Sequence, residues 1–313
     1  MINFRYHVVS LTAVFLALAI GLVVGTAALN GPVADSLKET VNALRKDNQQ
    51  WRQSVSSLQK ELDMEEDFAA EMAQIYLPGK LTGKRVVLLG LPTGREHTEG
   101  VLKMLQTAGA TVTGKVDVQD KFINPDNNTN LMELAVTAAR PTAPASALPG
   151  NGNGVETSSA LLASVLLDRP QGTPAVTDAD RRAVLAAYAN AGYLSTEDKV
   201  TGSAEAVVVV SGQPYVDKDS AKKDESVVKV AEQFDRTGAI VVGGNGSSGG
   251  NLVSVVRGDP VLAQSISTVD NANTVQGQLV TTLALLQQLT EKRAGQYGVG
   301  DNAAGGLVPK LPQ

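Results

Sequence analysis

The architecture of the chain is decided by residues Val8–Leu29, VVSLTAVFLALAIGLVVGTAAL, a stretch of 22 residues that contains no charged side chain. A helix rises about 1.5 Å per residue, so this stretch is about 33 Å long and matches the ~30 Å hydrocarbon core of a bilayer. It therefore predicts one transmembrane helix over residues 8–29. Gly21 and Gly25 within it form a GxxxG pair, which lets two membrane helices pack closely. The alternative is a chance pair of glycines, which membrane helices tolerate.

A cleavable signal sequence is the alternative to a membrane anchor, because the small residues at 26–28 are of the kind that precede a cleavage site. The apolar core of a signal sequence is normally about 7–15 residues long, and the longer run found here favours an uncleaved anchor. Charge alone does not set the orientation, because Arg5 before the helix is opposed by Lys38 and Arg45 after it. The short N-terminus favours a single-pass protein of the cell membrane, with residues 1–7 in the cytoplasm and the C-terminal domain extracytoplasmic.

A second helical pattern, which we predict to be a coiled-coil stalk over residues 33–77, follows the membrane segment. Its apolar side chains recur at alternating spacings of three and four residues, as the heptads of a coiled coil do. The first eight positions of this seam, which are the predicted interface, are Leu37, Val41, Leu44, Asn48, Trp51, Val55, Leu58 and Leu62. Asn48 occupies an a position, where a buried asparagine favours two parallel strands in one register. The alternative is a long amphipathic helix that packs on its own globular domain.

The C-terminal part of this helix is acidic. Glu61, Glu65 and Glu66 lie close together there, and Glu65 falls on the seam itself. Like charges that face each other across a seam weaken a homodimer. We therefore expect either a homodimer or a hetero-oligomer through the coiled coil, with these three glutamates as a candidate docking face for a basic partner helix. A solvated acidic face, at which the helices separate, is the alternative.

The rest of the chain alternates short apolar runs with amphipathic helices. This order predicts an α/β domain with three layers and a mainly parallel sheet over residues 80–294. The predicted strands are residues 85–90, 111–118, 206–211, 239–242 and 252–257. Residues 140–157, RPTAPASALPGNGNGVET, predict a flexible insertion because they are rich in Pro, Gly and Asn. Residues 295–313 have a similar composition and predict a disordered tail.

The composition argues against several classes of function. A net charge of −5 argues against nucleic-acid binding, which normally requires a basic surface. The absence of cysteine removes disulfides, thiolate metal sites and cysteine nucleophiles. His7 and His97 are the only histidines, and neither has the spacing of a catalytic or zinc motif. We therefore predict no enzyme, no catalytic residue, no bound metal and no cofactor, with an α/β enzyme or a ligand-binding domain as an alternative.

Two glycine-rich loops have the composition of phosphate-binding motifs. Residues 244–249, GNGSSG, match GxGxxG after a predicted strand. A dinucleotide site also requires a helix directly after the loop, whereas residues 251–256, NLVSVV, predict another strand. We therefore interpret this segment as a hairpin or loop. In residues 90–94, GLPTG, Pro92 removes one backbone donor, so this loop does not predict an anion site either.

Several segments together resemble one known family. They are the N-terminal block INFRYHVVSLTAVFLALAIGLVVG, the coil behind it, and the motifs VVLLGLPTG, SVVRGDP and STVDNANTVQGQLVTTLALL. These segments are similar to the actinobacterial MctB/SteB family, and the resemblance implies a single-span envelope protein with one of two roles. One role is copper efflux or pore formation. The other is partnership with a SteA-like membrane protein in cell separation, linked to control of peptidoglycan hydrolase activity. The resemblance implies no catalytic residue, and copper enters only through it.

The residues themselves favour one of these two roles. An outer-membrane pore needs strands of about 10 residues that alternate apolar and polar side chains, with aromatic girdles at both interfaces. Only 4% of this chain is aromatic, and most of its predicted strands are continuous apolar runs, although residues 111–118 alternate. Copper(I) prefers thiolate and thioether ligands, and the chain has no cysteine and no Met-x-x-Met spacing. We therefore expect a scaffold or regulator on a membrane-anchored stalk, with copper transport in the envelope as the alternative.

Overall fold

The computed structural model describes residues 4–29, 31–170, 172–196, 199–246, 249–300 and 302–310. These residues belong to two compact units, Met1–Glu65 and Glu66–Gln313. The boundary between the units falls inside the second helix, within the predicted stalk of residues 33–77 and after the eight predicted interface positions, Leu37 to Leu62. Each unit is therefore described by itself.

The first unit contains helix α1, Phe4–Leu29, and the greater part of helix α2, Pro32–Tyr76. Residues 4–27 of α1 include an 18-residue stretch with a mean hydropathy of 2.6, and the helix is long and apolar enough to cross a membrane. The predicted N-terminal apolar helix is thereby confirmed. Helix α2 begins with a proline, whose missing N–H is not needed in the first turn of a helix. It continues without a break for 45 residues.

The second unit is built around one mixed, mostly parallel sheet. Among the described residues it has seven strands, in the order β3-β2-β1-β4-β5-β6-β7. Each neighbouring pair is parallel except β2 and β3, which are antiparallel. The strands are β1 Arg85–Gly90, β2 Thr111–Val118, β3 Leu194–Thr196, β4 Ala206–Val210, β5 Ala239–Gly243, β6 Ile266–Val269 and β7 Gln296–Tyr297. Runs such as RVVLLG and AVVVV suit a sheet that is covered on both faces, because β-branched side chains pack well on either face of a strand.

Helices cover both faces of this sheet. They are α3 Thr98–Thr107, α4 Asp120–Ile123, α5 Asn128–Ala138, α6 Gly154–Leu166, α7 Asp178–Asn190, α8 Ser220–Asp235, α9 Leu252–Gly258, α10 Leu262–Ser265 and α11 Val275–Glu291. Alternate residues of β1 enter different apolar cores. Val87 and Leu89 pack in one core with α5 to α9, whereas Val86 and Leu88 pack in the other with α3 and α11. The predicted three-layer α/β domain is confirmed.

One predicted strand is wrong, because residues 252–257 form most of helix α9. The valine-rich run NLVSVV has the composition of a strand, but its surroundings select a helix. The Asn251 side chain accepts a hydrogen bond from the backbone N–H of Ser254 and caps the first turn. The buried side chains of α9, Leu252, Val253 and Val256, share one helix face. Tertiary packing and the cap therefore override the strand propensity.

The expected flexible insertion, residues 140–157, contains regular structure. Arg140 pairs with Ala143 in a short bridge, residues 145–147 form a 3-10 turn, and α6 begins at Gly154. The Thr142 hydroxyl donates a hydrogen bond of 2.6 Å to the Asp180 carboxylate, which ties the segment to α7. Proline and asparagine here support turns and caps, which composition alone does not distinguish from disorder.

The predicted tail, residues 295–313, also differs from expectation where the structure describes it. Gln296 and Tyr297 form β7, which pairs with β6 and extends the sheet beyond the predicted boundary at residue 294. The backbone N–H of Gly305 then donates to the carbonyl of Gln296, which folds the chain back on this strand. Residues 301 and 311–313 lie outside the described residues.

Candidate functional site

The heptad seam of α2 is exposed along its whole predicted interface. Its apolar side chains have between 43% and 72% of their surface exposed, with Val41 at the lower limit and Trp51 at the upper. Asn48, in the middle of the seam, is also exposed. A single large apolar side chain on a surface is unremarkable, but a continuous row of them indicates a surface that binds something apolar. This row, Leu37 to Leu62 at heptad spacing, is called the seam below.

The last turns of α2 belong to the second unit and pack there. Ala69, Ala73 and Leu77 are buried, so these turns bury residues spaced by four along the helix. The Glu66 carboxylate accepts a hydrogen bond of 2.7 Å from the backbone N–H of Val275, at the start of α11. Helix N-termini favour such a contact because their first N–H groups lack intrahelical partners. The alternative prediction, a helix that packs on its own domain, is thus realised from Glu66 onward.

The predicted acidic docking face is altered by this contact. Glu66 is half-buried, and its carboxylate already accepts the hydrogen bond from Val275, so it is not available to a partner helix. Glu61 and Glu65 are exposed, and neither makes a hydrogen bond or ion pair with another described residue. The face is therefore reduced to these two residues. The sequence did not predict the role of Glu66, because its partner lies 209 positions away in the chain.

The GxxxG pair lies on helix α1, as predicted. A methyl group placed at Gly21 or at Gly25 would meet no atom within 4 Å. The surface around both glycines is therefore open within the single chain. A second helix backbone has room to approach there, which is the property that makes such pairs suitable for helix packing.

The place where ligands usually bind in an open α/β sheet is closed in this domain. Strand order reverses between β1 and β4, and ligands commonly bind at the carboxyl ends of such strands. Here the two following loops pack against each other. A Cβ on Gly94 would lie 2.6 Å from the Ser211 carbonyl carbon, and one on Gly212 would overlap the Thr93 carbonyl oxygen. Backbone fills the crevice at this point, and the two glycines make that close approach sterically feasible.

The GxGxxG segment, residues 244–249, lies in a connection of a different kind from the one we predicted. It follows β5 and is followed by helix α9, so it is a strand–loop–helix connection and not a hairpin. The argument that a strand follows it is therefore wrong. Its residues 247 and 248 lie outside the described residues. Helix α9 spans only seven residues, and the Asn251 side chain caps its first turn.

A buried ion pair explains two of the sequence motifs. Arg257, from SVVRGDP, donates a hydrogen bond of 2.7 Å to Asp270, from STVDN, and both side chains are at most 2% exposed. The Asp270 carboxylate also accepts hydrogen bonds from the backbone N–H groups of Val299 and Gly300, at 2.8 Å and 2.9 Å. Arg257 further donates to the Tyr297 carbonyl. These motifs therefore join α9, β6 and β7, which is a structural role.

Aspartate 259, the other acidic residue of the motifs, has a local role as well. Its carboxylate accepts hydrogen bonds from the backbone N–H groups of Val261 and Leu262, at 2.8 Å and 3.3 Å. Such contacts are typical of aspartate in turns and at the start of helices. The sequence alone did not identify Arg257 as the partner of Asp270.

The side chains of metal-binding type are dispersed. Among the described residues, no group of three His, Asp or Glu side chains lies close enough to hold a metal ion. His97 lies 3.4 Å from the Glu96 carboxylate, while His7 is exposed on α1. Met104 is buried in α3, whereas Met64 is exposed on α2. The seam on α2 is accordingly the candidate interaction surface of the described residues outside the apolar helix α1.

The chain was compared with known proteins. A family model described as "Copper transport outer membrane protein, MctB" matches residues 1–309. The copper transporter MctB of Mycobacterium leprae (strain TN) is 28% identical over 318 residues, which cover 99% of this chain and 100% of that protein. The copper transporters MctB of Mycobacterium bovis and Mycobacterium tuberculosis (strain H37Rv) are 28% identical over 309 residues, with 97% of this chain and 98% of each relative covered. Because the family model spans nearly the whole chain, and relatives align along its length, this chain belongs to the MctB family.

Proposed function

We propose that the protein is a membrane-anchored scaffold of the cell envelope, in which α2 forms a parallel two-stranded coiled coil with a second copy. The observation that supports this proposal is the exposed seam. Removing apolar surface from water is favourable by about 25 cal/mol per Å², before the entropy cost of association is subtracted. Seven large apolar side chains at heptad spacing therefore provide a strong driving force for pairing.

The parallel direction follows from the position of α1. If α1 crosses the membrane in each copy, both copies of α2 leave the same membrane surface and run in the same direction. Asn48 then faces Asn48 of the second copy, and a buried asparagine pair favours two strands in one register. The open surface at Gly21 and Gly25 allows the membrane helices to pack in the same dimer.

The α/β domain is then the part that the stalk holds outside the membrane. We propose that it regulates or assembles partners there, including a SteA-like membrane protein, in cell separation and the control of peptidoglycan hydrolase activity. This finer role is supported by the resemblance of the N-terminal block and the motifs to the MctB/SteB family. The exposed glutamates Glu61 and Glu65 provide an acidic surface for a basic partner segment.

Disulfide cross-linking tests the coiled coil directly, because the chain contains no cysteine of its own. Val55→Cys places one thiol at an a position, where two parallel helices bring equivalent residues within disulfide distance. We expect the full-length variant in native membranes to form a covalent dimer on mild oxidation. Gln53→Cys is the matched control, since residue 53 lies on the opposite side of the heptad and should remain monomeric.

Two results would contradict the proposal. One is equal cross-linking of Val55→Cys and Gln53→Cys, which would show random collision and not a seam. The other is the absence of a dimer for Val55→Cys together with a monomeric mass for the unaltered chain by light scattering in detergent. Cross-linking to a different protein in place of a second copy would indicate a heteromeric stalk.

Copper transport is the second candidate function, favoured by the description of the family and the names of the relatives. In this case copper is the cargo. A titration of the full chain with Cu(I), in competition with a chelator of known affinity, tests this candidate. Micromolar or tighter binding that is lost in the variant Met64→Leu would support a role for the exposed methionine of α2. An affinity for Cu(I) no better than that of the detergent micelles alone would argue against copper transport.

A further inference from the structure

A cleft near the amino ends of the sheet strands is not explained by any role described above. It has a volume of about 610 Å³ and is walled largely by proline, threonine and alanine side chains. Its lining includes Pro141, Pro144, Pro170, Pro174, Thr142 and Arg169. A second cleft of about 620 Å³ adjoins it and shares Arg169, Pro170 and Thr237 with it. Pockets for small ligands are typically about 300–1,000 Å³ and mostly apolar, with a few polar groups.

Arg169 is the polar group that distinguishes this cleft. Its side chain is half-buried where the two clefts meet, and it makes no hydrogen bond or ion pair with any residue that the structure describes. A guanidinium group has five N–H donors, and removing them from water without acceptors is unfavourable. An acceptor that enters the cleft would satisfy them.

The nearby acidic residues do not serve as that acceptor, because they have other partners. Asp168 accepts two hydrogen bonds from Arg85, at 2.6 Å and 3.2 Å, and one from Ser203. Burial raises the pKa of Asp168, but these hydrogen bonds outweigh burial and hold the pKa below its ordinary value. Glu205 lies 3.4 Å from the Lys84 ammonium group. A third acidic residue, Asp235, lines the adjoining cleft and accepts a hydrogen bond of 2.8 Å from the Ser265 hydroxyl. None of these three carboxylates pairs with Arg169, whose guanidinium is left without an acceptor among the described residues.

A second cation lies at the edge of the cleft. The Arg236 side chain is 62% exposed, and its guanidinium is 3.7 Å from Glu156. Such a loose, exposed ion pair is weak, so Arg236 adds positive potential at the entrance. The cleft thus combines apolar walls with one unpaired guanidinium inside and one loosely paired guanidinium outside.

We propose that this cleft binds a small organic anion, whose carboxylate pairs with Arg169 and whose apolar body packs against the proline walls. Arginine suits this task because its planar fork matches the two oxygens of a carboxylate. The rigid proline rings offer apolar surface that loses little conformational freedom on binding.

A photoreactive carboxylate tests the proposal in the full-length chain in phosphatidylcholine nanodiscs. The probe is 4-benzoylbenzoate, and 4-benzoylbenzamide is its uncharged counterpart of nearly the same shape. After irradiation, labelled peptides are identified by mass spectrometry, so that labelling of the membrane helix or the seam is counted separately. We expect the carboxylate to label peptides that contain residues 141–147 and 164–170, and the amide to label them at least about tenfold less.

Variants separate the role of Arg169 from general effects of charge. Arg169→Gln should reduce labelling of the cleft peptides by the carboxylate about tenfold, and Arg169→Lys should reduce it less, because lysine retains the charge but not the fork. The control Arg182→Gln alters an exposed arginine of α7 outside the cleft and should change nothing. Equal labelling by carboxylate and amide in the unaltered chain would overturn the proposal, even if Arg169→Gln failed to fold. Undiminished labelling of folded Arg169→Gln, or no labelling of the cleft peptides at all, would also overturn it.

Discussion

Among single residues, Asp270 has the largest expected influence on the stability of the α/β domain. Asp270→Asn keeps the shape of the side chain but leaves the Arg257 guanidinium buried without a counter-charge. Breaking a buried ion pair in this way costs about 3–5 kcal/mol. We expect a loss of that size in the free energy of unfolding, measured by urea denaturation followed by circular dichroism.

The control for this prediction is Asp259→Asn. Asparagine can still accept the hydrogen bonds from Val261 and Leu262, so the loss should stay below about 1 kcal/mol. Hydrogen exchange supplies a local readout, since amides 299 and 300 donate to Asp270 and should exchange faster in Asp270→Asn alone. Similar losses in the two variants would show that Arg257 is stabilised by other means.

Asp235, in the second cleft, gives a pH-dependent prediction. Burial raises the pKa of Asp235, and the hydrogen bond from the Ser265 hydroxyl opposes this shift only in part. The folded state therefore binds the proton more tightly than the unfolded state. The contribution of Asp235 to the free energy of unfolding is fully present below its unfolded pKa. It is lost as the pH rises through the folded pKa.

Asp235→Asn removes the charged form and hence this loss. We expect the variant to have a higher Tm than the unaltered chain at pH 7, with the difference shrinking towards zero as the pH falls below the unfolded pKa of about 3.9. Thermal unfolding at a series of pH values measures this difference. A variant that is less stable at pH 7 would show that the hydrogen bond from Ser265 outweighs the effect of burial.

At the level of elements, α2 combines two roles that meet at Glu66. The exposed seam occupies the first unit, whereas Glu66 and the last turns contact α11 within the second unit. Glu66→Ala removes the acceptor at the start of α11 and should cost about 1 kcal/mol in the free energy of unfolding of the α/β domain. Hydrogen exchange at the first turn of α11 should increase in parallel.

The neighbouring Glu65→Ala is a matched control, because Glu65 is exposed and has no hydrogen-bond partner among the described residues. It should leave both measurements unchanged. A larger loss of unfolding free energy in Glu65→Ala than in Glu66→Ala would contradict the contact between Glu66 and α11.

The spacing of apolar residues along the chain predicted several of the elements. The same residues that set this spacing are the ones that pack in the core. Strands β1, β2, β4 and β5 were predicted for this reason. The short strands β6 and β7 were missed, because ISTV has only two apolar residues, QY is a dipeptide, and neither is long enough to show a period. Helix α9 was assigned wrongly because the Asn251 cap competes with a strand-forming composition.

Some features of the candidate sites could likewise be predicted from the sequence, and others could not. The seam could be predicted because heptads are a local pattern with a fixed period. The contact of Glu66 with Val275 and the unpaired state of Arg169 could not, since both depend on residues that are distant in the chain. Local patterns therefore predict which surfaces exist, and the fold determines which of their residues are still available for a partner.

For the whole molecule, the decisive property is the side of the membrane on which the α/β domain lies. Helix α1 carries Arg5 before its apolar part, and α2 carries Lys38 and Arg45 soon after it, so the charge bias is small. The proposed envelope role requires that α1 hold the α/β domain outside the membrane, and this orientation is the prediction.

Single cysteines test this orientation, because the unaltered chain has none. Gln106→Cys places a thiol on the exposed surface of α3, and His7→Cys places one at the start of α1. In intact cells, a membrane-impermeant maleimide should label the first variant and should label the second only after the membrane is opened. The reverse pattern would place the α/β domain in the cytoplasm and remove the envelope role. Labelling of Gln106→Cys together with a mature chain that lacks residues 1–28 would instead mean that α1 is a signal sequence, in which case the parallel stalk would have to be maintained by the seam alone.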